Sequence, residues 1–255
     1  MSEIEGMSTA PSLRPRRGRY GFDAPLVPIL LAAVAVSMLI GAGINARSGS
    51  ALAAAVLVAG AVLMVLSATT YVYATRTGKF VVWEELLARL QLRGGERLLD
   101  VGCGRGAVLL SAAKLLPTGR AIGLDLWSTT DQSGNSLATT LANAELEGVG
   151  ERVEVHTGDM RAMPFTDGEF DVVLSSLAIH NIPDRDGRAE AIGQMVRVLR
   201  PGGRLAIVDI RRTGEYAERA VQLGLTDVSR RPVGWRCWFG GPWVSCGLLT
   251  ATKPA

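Results

Sequence analysis

Cysteine and histidine are scarce in this chain of 255 residues: three cysteines (Cys103, Cys237, Cys246) and two histidines (His156, His180). No C-x-x-C pair occurs, so neither a disulfide framework nor a zinc centre is expected; no metal site is anticipated, and a reducing compartment fits. Charge of either sign is also modest. The net +3 is spread evenly along the chain, and without a basic stripe no nucleic-acid partner is expected. The 30 glycines follow no three-residue period, which excludes collagen, and a hydrophobic share of 48% excludes a disordered chain. Apolar residues are abundant, and they concentrate near the N-terminus.

Residues 25–44 (PLVPILLAAVAVSMLIGAGI) and 51–73 (ALAAAVLVAGAVLMVLSATTYVY) carry no charge. At about 1.5 Å per helical residue each spans roughly 30 Å, the thickness of a bilayer's hydrocarbon core. The short polar turn 45–50 makes them an antiparallel hairpin, and small residues (Gly41, Gly43, Ala53, Ala54, Gly60) permit close packing, within the hairpin or in a homodimer. Arg14, Arg16, Arg17 and Arg19 precede the first span and Arg76 and Lys79 follow the second, against Arg47 alone in the turn. The positive-inside rule then predicts a multi-pass protein of the cell membrane, with both termini and the C-terminal domain in the cytoplasm. The expected division is a basic tail over 1–23, a transmembrane hairpin over 24–75 and a globular domain over 76–255.

From residue 80 the pattern becomes an amphipathic helix (Phe80–Leu90) followed by alternating apolar runs and helical segments. Strands are predicted over 97–101, 120–125, 153–156, 170–174 and 204–209, and helices over 107–116, 136–147 and 188–199. Such alternation argues for a parallel sheet covered on both faces. Two final runs, 231–238 and 244–251, joined by Gly240-Gly241-Pro242, read as a hairpin closing one edge.

The most informative stretch is Asp100-Val-Gly102-Cys-Gly104-Arg-Gly106, directly after the first strand and before a helix. Glycines here permit a tight turn and close approach of backbone N–H groups to a ligand, and the helix N-terminus favours an anion. Alone, this also satisfies a dinucleotide fingerprint. Asp125 ends the second strand, where an acid can hold ribose hydroxyls. Gly158-Asp159-Met160 ends the third strand, placed to contact an adenine ring, and Arg197-Val-Leu-Arg-Pro-Gly-Gly203 leads into the fifth.

The ordered set DVGCGRG, GLD, GDM, PFTDGEFDVV and RVLRPGG resembles the class I S-adenosylmethionine-dependent methyltransferases, in the branch of the ubiquinone/menaquinone-biosynthesis enzymes (methyltransferase type 11). The resemblance covers about residues 93–255. It implies an α/β fold, a Rossmann-like seven-stranded mostly parallel sheet with an antiparallel C-terminal strand. It also implies S-adenosyl-L-methionine as cofactor. Gly102, Gly104 and Gly106 would pass beside its methionine part, and Asp100 would reach its amino group. Asp125 would hold the ribose with Leu126 against the adenine, Asp159 and Met160 would contact the ring, and Ser176 would line the pocket.

Methyl transfer from a sulfonium needs alignment and exclusion of water, and a base only if the acceptor loses a proton. His180-Asn181, after the fourth strand, are the candidate catalytic pair, and the quinone-type enzymes carry Arg-Asn there. Asp209 and Tyr216 are weaker candidates, read as a strand end and a packed helix residue. Trp235, Trp238, Phe239 and Trp243 form an aromatic group in the C-terminal hairpin. Together these features suggest a membrane-anchored methyltransferase whose partners are the bilayer and a lipophilic quinone-, isoprenoid- or lipid-like acceptor. A nicotinamide-linked oxidoreductase and a non-catalytic cofactor-binding protein are the alternatives.

Overall fold

Leu98 and Leu99 are neighbours in the first strand and both fully buried, yet they belong to different cores, because consecutive side chains of a strand leave opposite faces. The computed structural model describes residues 16–129 and 131–255. Most of the tail expected over 1–23, Arg14 included, lies outside the described residues. The strands are β1 (Arg97–Val101), β2 (Arg120–Asp125), β3 (Val153–Thr157), β4 (Phe170–Ser176), β5 (Leu199–Ile210), β6 (Thr226–Pro232) and β7 (Cys246–Thr252). They form one sheet in the order β3-β2-β1-β4-β5-β7-β6, parallel except for β7, which runs antiparallel to both neighbours.

On one face Leu98, Val172 and Ala206 pack against Trp83, Leu87 and Leu109. On the other, Leu99, Val173 and Leu205 pack against Ile192, Met195 and Tyr216. Burial on both faces is why these strands read as continuous apolar runs. The chain moves outward from β1 to β3 and returns to place β4 beside β1. That reversal leaves a crevice at the carboxyl ends of β1 and β4, where open α/β sheets bind ligands.

The covering helices are α3 (Lys79–Arg89), α4 (Ala107–Ala113), α5 (Leu137–Leu146), α6 (Arg185–Val198) and α7 (Thr213–Gln222), after the N-terminal α1 (Leu26–Arg47) and α2 (Ala51–Tyr73). Helix α6 starts three residues before the predicted position because Asp184 caps it, accepting from Gly187 N at 2.6 Å. The C-terminal hairpin is also displaced from the prediction. Its strands are β6 and β7, and the segment from Trp235 to Val244 is their connection, with a 3-10 turn at Trp235–Cys237.

Helices α1 and α2 are long and apolar enough to cross a membrane, and only 11% and 17% of their most apolar stretches are buried. A core helix of a soluble fold would be mostly covered. Gly41 and Gly60 face the partner helix, where a Cβ would come within 3.3 Å of Leu57 and 3.0 Å of Met38. Gly41 and Gly60 are therefore used inside the hairpin, while Gly43 meets nothing within 4 Å.

The helix does not stop at Tyr73. It passes through one π-helical stretch, Ala74–Gly78, into α3, giving a helical run of 39 residues from Ala51 to Arg89. Tyr71 and Ala74 are buried in the same core as α3 and α4, so the expected boundary at residue 75 falls inside a continuous, packed helix. The residues just before α1 are also docked. Arg17 N and Gly18 N donate to Glu147, Arg19 N to Asn143 and Phe22 N to Ser133, so that residues 16–24 lie as a strap across α5 and the loop before it.

Candidate active site

A cavity of about 560 Å³ opens at the carboxyl ends of β1, β2 and β4. Its volume suits a cofactor-sized molecule. The glycine loop forms its floor. Gly102 has φ +74°, and a Cβ there would collide with Ala178, so only glycine lets the loop pass beneath the end of β4. Gly104 N donates to Asp125 Oδ2 at 2.8 Å, and Gly106, also left-handed, leads directly into α4.

Asp100 is the unusual group in this floor. It is 1% exposed, and among the described residues neither carboxylate oxygen has a hydrogen-bond partner. Burial, with the charge of Asp125 nearby, pushes its carboxyl up to about 7. A buried, unpartnered carboxylate facing a cavity is satisfied by a cationic or hydrogen-bond-donating ligand.

Asp125, Leu126, Asp159, Met160 and Ser176, named from the sequence, all line the same cavity. Their local contacts differ. Asp125 already organises the loop beyond β2: Oδ2 accepts from Gly104, and Oδ1 accepts from Trp127 N at 2.6 Å and Asn135 Nδ2 at 3.1 Å. Leu126 is exposed, presenting an apolar surface at the rim. Asp159 is held by Arg161, whose Nη2 donates to Oδ2 at 2.6 Å, and this hydrogen bond keeps the carboxyl below its ordinary range. Ser176 Oγ accepts from Trp83 Nε1 at 2.8 Å, tying the end of β4 to α3. Cys103 is buried in the loop, where desolvation and the charges of Asp100 and Asp125 push its thiol up; the helix N-terminus does not activate it.

On the acceptor side, Asn181 and His180 also border the cavity. Leu177 takes a left-handed conformation (φ +55°) that turns the chain off β4, and its N–H donates to Val208 O. The turn brings His180 Nδ1 to 2.5 Å from Asp209 Oδ1, while His180 N donates to Asp209 Oδ2 at 3.0 Å. Tyr216 donates its hydroxyl to the same Oδ2 at 3.2 Å. Asp209 and Tyr216, weaker candidates from the sequence, therefore fix the direction of the His180 imidazole. Burial opposes the charged imidazole, but the hydrogen bond and charge of Asp209 outweigh it and raise the His180 pKa above its ordinary 6.5. Arg188, almost wholly buried, pairs with Glu215 and donates to the carbonyls of Ile182 and Pro183, which fixes the loop after His180.

One further part of the site was not legible in the sequence. Asp23 and Ala24 before α1, Tyr71 in α2 and Lys79 at the start of α3 line the cavity. Lys79 Nζ is 2.7 Å from Asp23 Oδ2, Gln132 Nε2 donates to Asp23 Oδ1 at 3.0 Å, and Gln132 Oε1 accepts from Arg105 N in the glycine loop at 2.9 Å. Tyr71 donates to the Asp23 carbonyl at 2.9 Å. A continuous polar chain thus joins the hairpin to the glycine loop. Only the charge of Asp23 beside an apolar span could have marked it, and such residues usually cap or flank. Among the described residues no cluster of metal-ligating side chains occurs.

Comparison with known proteins agrees with this geometry. Residues 99–207 match a family described as a methyltransferase domain. The chain is 36% identical over 132 residues to a ubiquinone/menaquinone biosynthesis C-methyltransferase UbiE of Dinoroseobacter shibae, covering 50% of this chain and 48% of that protein. It is 35% identical over 127 residues to methyltransferase GfsG of Streptomyces halstedii, covering 50% and 42%. The chain spans about half the length of these curated relatives. In three dimensions it is similar to a geranyl diphosphate methyltransferase, with TM-score 0.54 and 18% identity over 67% of this chain and 76% of that one, a likeness of fold. Family match, relatives and sheet order agree that residues 99–207 carry a methyltransferase domain similar to those of S-adenosylmethionine-dependent methyltransferases, the ubiquinone and menaquinone enzymes among them.

Proposed function

We propose that the protein is a membrane-anchored S-adenosylmethionine-dependent methyltransferase whose acceptor is a lipophilic molecule that loses a proton on methylation, such as an isoprenoid or quinone-like hydroxyl compound. The observation that carries this reading is His180, held by Asp209 through Nδ1 and bordering the same cavity as the glycine loop. The residues present fit the cofactor. Asp100 offers an unsatisfied buried carboxylate to an ammonium group, and Gly102 leaves a cradle that a Cβ would fill. Asp125 has an acceptor oxygen for ribose hydroxyls, and Leu126 and Met160 give apolar surface for the adenine. Ser176 completes the wall, while Asp159 must share its carboxylate with Arg161.

When bound, the cofactor supplies an electrophilic methyl on a sulfonium leaving group. The chain's own task is orientation and proton removal. Asp209 fixes the tautomer with the proton on Nδ1, which leaves Nε2 to accept the acceptor's hydroxyl proton; Asp209 then stabilises the imidazolium without taking that proton. Asn181 borders the same space and can orient the acceptor oxygen. The named relatives support the acceptor class, since one acts in ubiquinone and menaquinone biosynthesis. This chain departs from the quinone enzymes at His180, where they carry arginine, which favours a different hydroxyl-bearing head.

In this reading the hairpin anchors the site at a membrane, and the distribution of Arg16, Arg17, Arg19, Arg76 and Lys79 against Arg47 supports both termini lying on the cytoplasmic side. Small residues leave room for a homodimer through the hairpin, on which no part of this reading depends. The test is incubation of the full chain in membranes with methyl-labelled S-adenosylmethionine and an extracted lipid fraction. Label is expected in the organic phase and is lost in His180→Ala. Label incorporation unaffected by that substitution would remove His180 from the chemistry, and no label in any lipid fraction would remove the acceptor class.

A further inference from the structure

The connection between β6 and β7 carries two indoles on the outside of the molecule. Trp235 and Trp243 are each 57% exposed, whereas Phe239 between them is buried and lines the cavity. The amphipathic ring of an exposed tryptophan favours the headgroup layer of a bilayer. The surroundings point to that partner. Trp235 stacks on Tyr73, the last residue of α2, with ring centroids 5.1 Å apart. The turn at Trp235–Cys237 is pressed onto the helix just beyond, where a Cβ at Gly78 would collide with the Arg236 carbonyl. The connection therefore sits level with the end of the apolar span and continues its surface. Arginines lie close to it in the chain: Arg76, Arg230 and Arg231 are exposed, and Arg236, paired with Glu85 at 3.1 Å, has its guanidinium 5.9 Å from the Trp235 ring centroid. Exposed indoles with arginines close by in the chain suit an anionic, headgroup-rich interface.

We propose that the Trp235–Trp243 connection is a second membrane contact, seated in the headgroup layer of the same leaflet as the roots of α1 and α2. The inference rests on the membrane reading of the hairpin. It adds an orientation. The hairpin alone tethers the domain, while a second contact beside it fixes which way the cavity faces. Phe239 stands edge-on to Tyr71 at 5.5 Å, and both line the cavity, so its wall is made of the elements that would touch the bilayer. An amphiphile then presents its head to His180 from the leaflet while its chain stays in lipid.

Tryptophan fluorescence tests this cleanly, because α1 and α2 contain no tryptophan and the five indoles are Trp83, Trp127, Trp235, Trp238 and Trp243. The full chain is reconstituted into vesicles of phosphatidylcholine and phosphatidylglycerol, in which part of the phosphatidylcholine is brominated near the top of its acyl chains. Quenching by the brominated lipid is expected, and Trp235→Phe/Trp243→Phe should remove most of it while circular dichroism stays unchanged. Absence of quenching in the unmodified chain, or equal quenching in the double variant, overturns the proposal. Resistance of the same sample to alkaline carbonate extraction reports the hairpin separately: a chain that stays in the vesicles without indole quenching refutes only the second contact, and a chain that is extracted refutes both.

Discussion

His180 Nδ1 and Asp209 Oδ1 lie 2.5 Å apart although 29 residues separate them in the chain. The pairing of β4 with β5 brings them together: Ser176 stands opposite Val208, so the residues that follow on each strand emerge side by side at the crevice. Asp209 is fully buried and Tyr216 donates to it, so the carboxylate has a fixed direction.

The two histidines make this pair measurable by NMR titration of the imidazoles. One midpoint should lie above 6.5, and Asp209→Asn should move it down, because the hydrogen bond and charge that outweigh desolvation are lost. The raised value also fixes the sign of its linkage to stability. The pair stabilises the fold fully below the unfolded imidazole's value and loses that contribution as pH rises through the folded one. His180→Ala should cost about a hundredfold or more in methyl transfer, with cofactor affinity unchanged.

Asp100 is expected to trade stability for binding. Its carboxyl is raised from 3.8 to about 7, so the fold is favoured most at low pH and loses that advantage as pH rises through about 7. Asp100→Asn should therefore raise the thermal midpoint of the unliganded protein at neutral pH while weakening S-adenosylmethionine binding at least tenfold. In the unmodified protein, affinity should increase as pH rises through that same value, with proton release seen by calorimetry in buffers of different ionisation enthalpy. Asp100→Asn should abolish that pH dependence.

Gly102→Ala combines a left-handed φ with a collision against Ala178. The loop must shift away from the end of β4, and cofactor binding should be lost even where circular dichroism shows a folded domain. Gly43→Ala, where a Cβ would meet nothing within 4 Å, is the control and should leave binding unchanged.

Asp23→Ala leaves the Lys79 ammonium, 7% exposed, without its partner and cuts the link to Gln132. The expected cost is about 3 kcal/mol of stability, read as a lower thermal midpoint, together with weaker cofactor binding because Gln132 also holds the glycine loop. Removing the charge as well, in Asp23→Ala/Lys79→Met, should recover part of the stability. A fragment starting at residue 76 loses the strap, Tyr71 and Ala74 together, and is expected to aggregate or bind poorly.

What was legible in the sequence follows from locality. The sheet, its antiparallel strand and the glycine loop are written in short apolar runs and turn residues, and the cavity-lining acids sit at strand ends that those runs define. Asp209 does end a strand, as the sequence suggests, but its pairing with His180 was not legible because that partner follows a different strand, 29 residues away. Likewise, the β6–β7 connection was read as strand because its tryptophans favour strands, although Gly234, Gly240 and Gly241 with positive φ bend it into a loop. The strap was invisible for a different reason: Arg19, Tyr20 and Phe22 carry no period, and they are ordered by hydrogen bonds to Asn143, Glu147 and Ser133, more than a hundred residues away.

The most direct measurement is a calorimetric titration of the full chain, purified in a mild detergent, with S-adenosylmethionine, its demethylated product and NADH in parallel. The account predicts saturable binding of the first two, weakened by Asp125→Ala and by Asp100→Asn, and no heat from NADH. Binding of NADH alone would contradict it and return the cavity to nicotinamide chemistry.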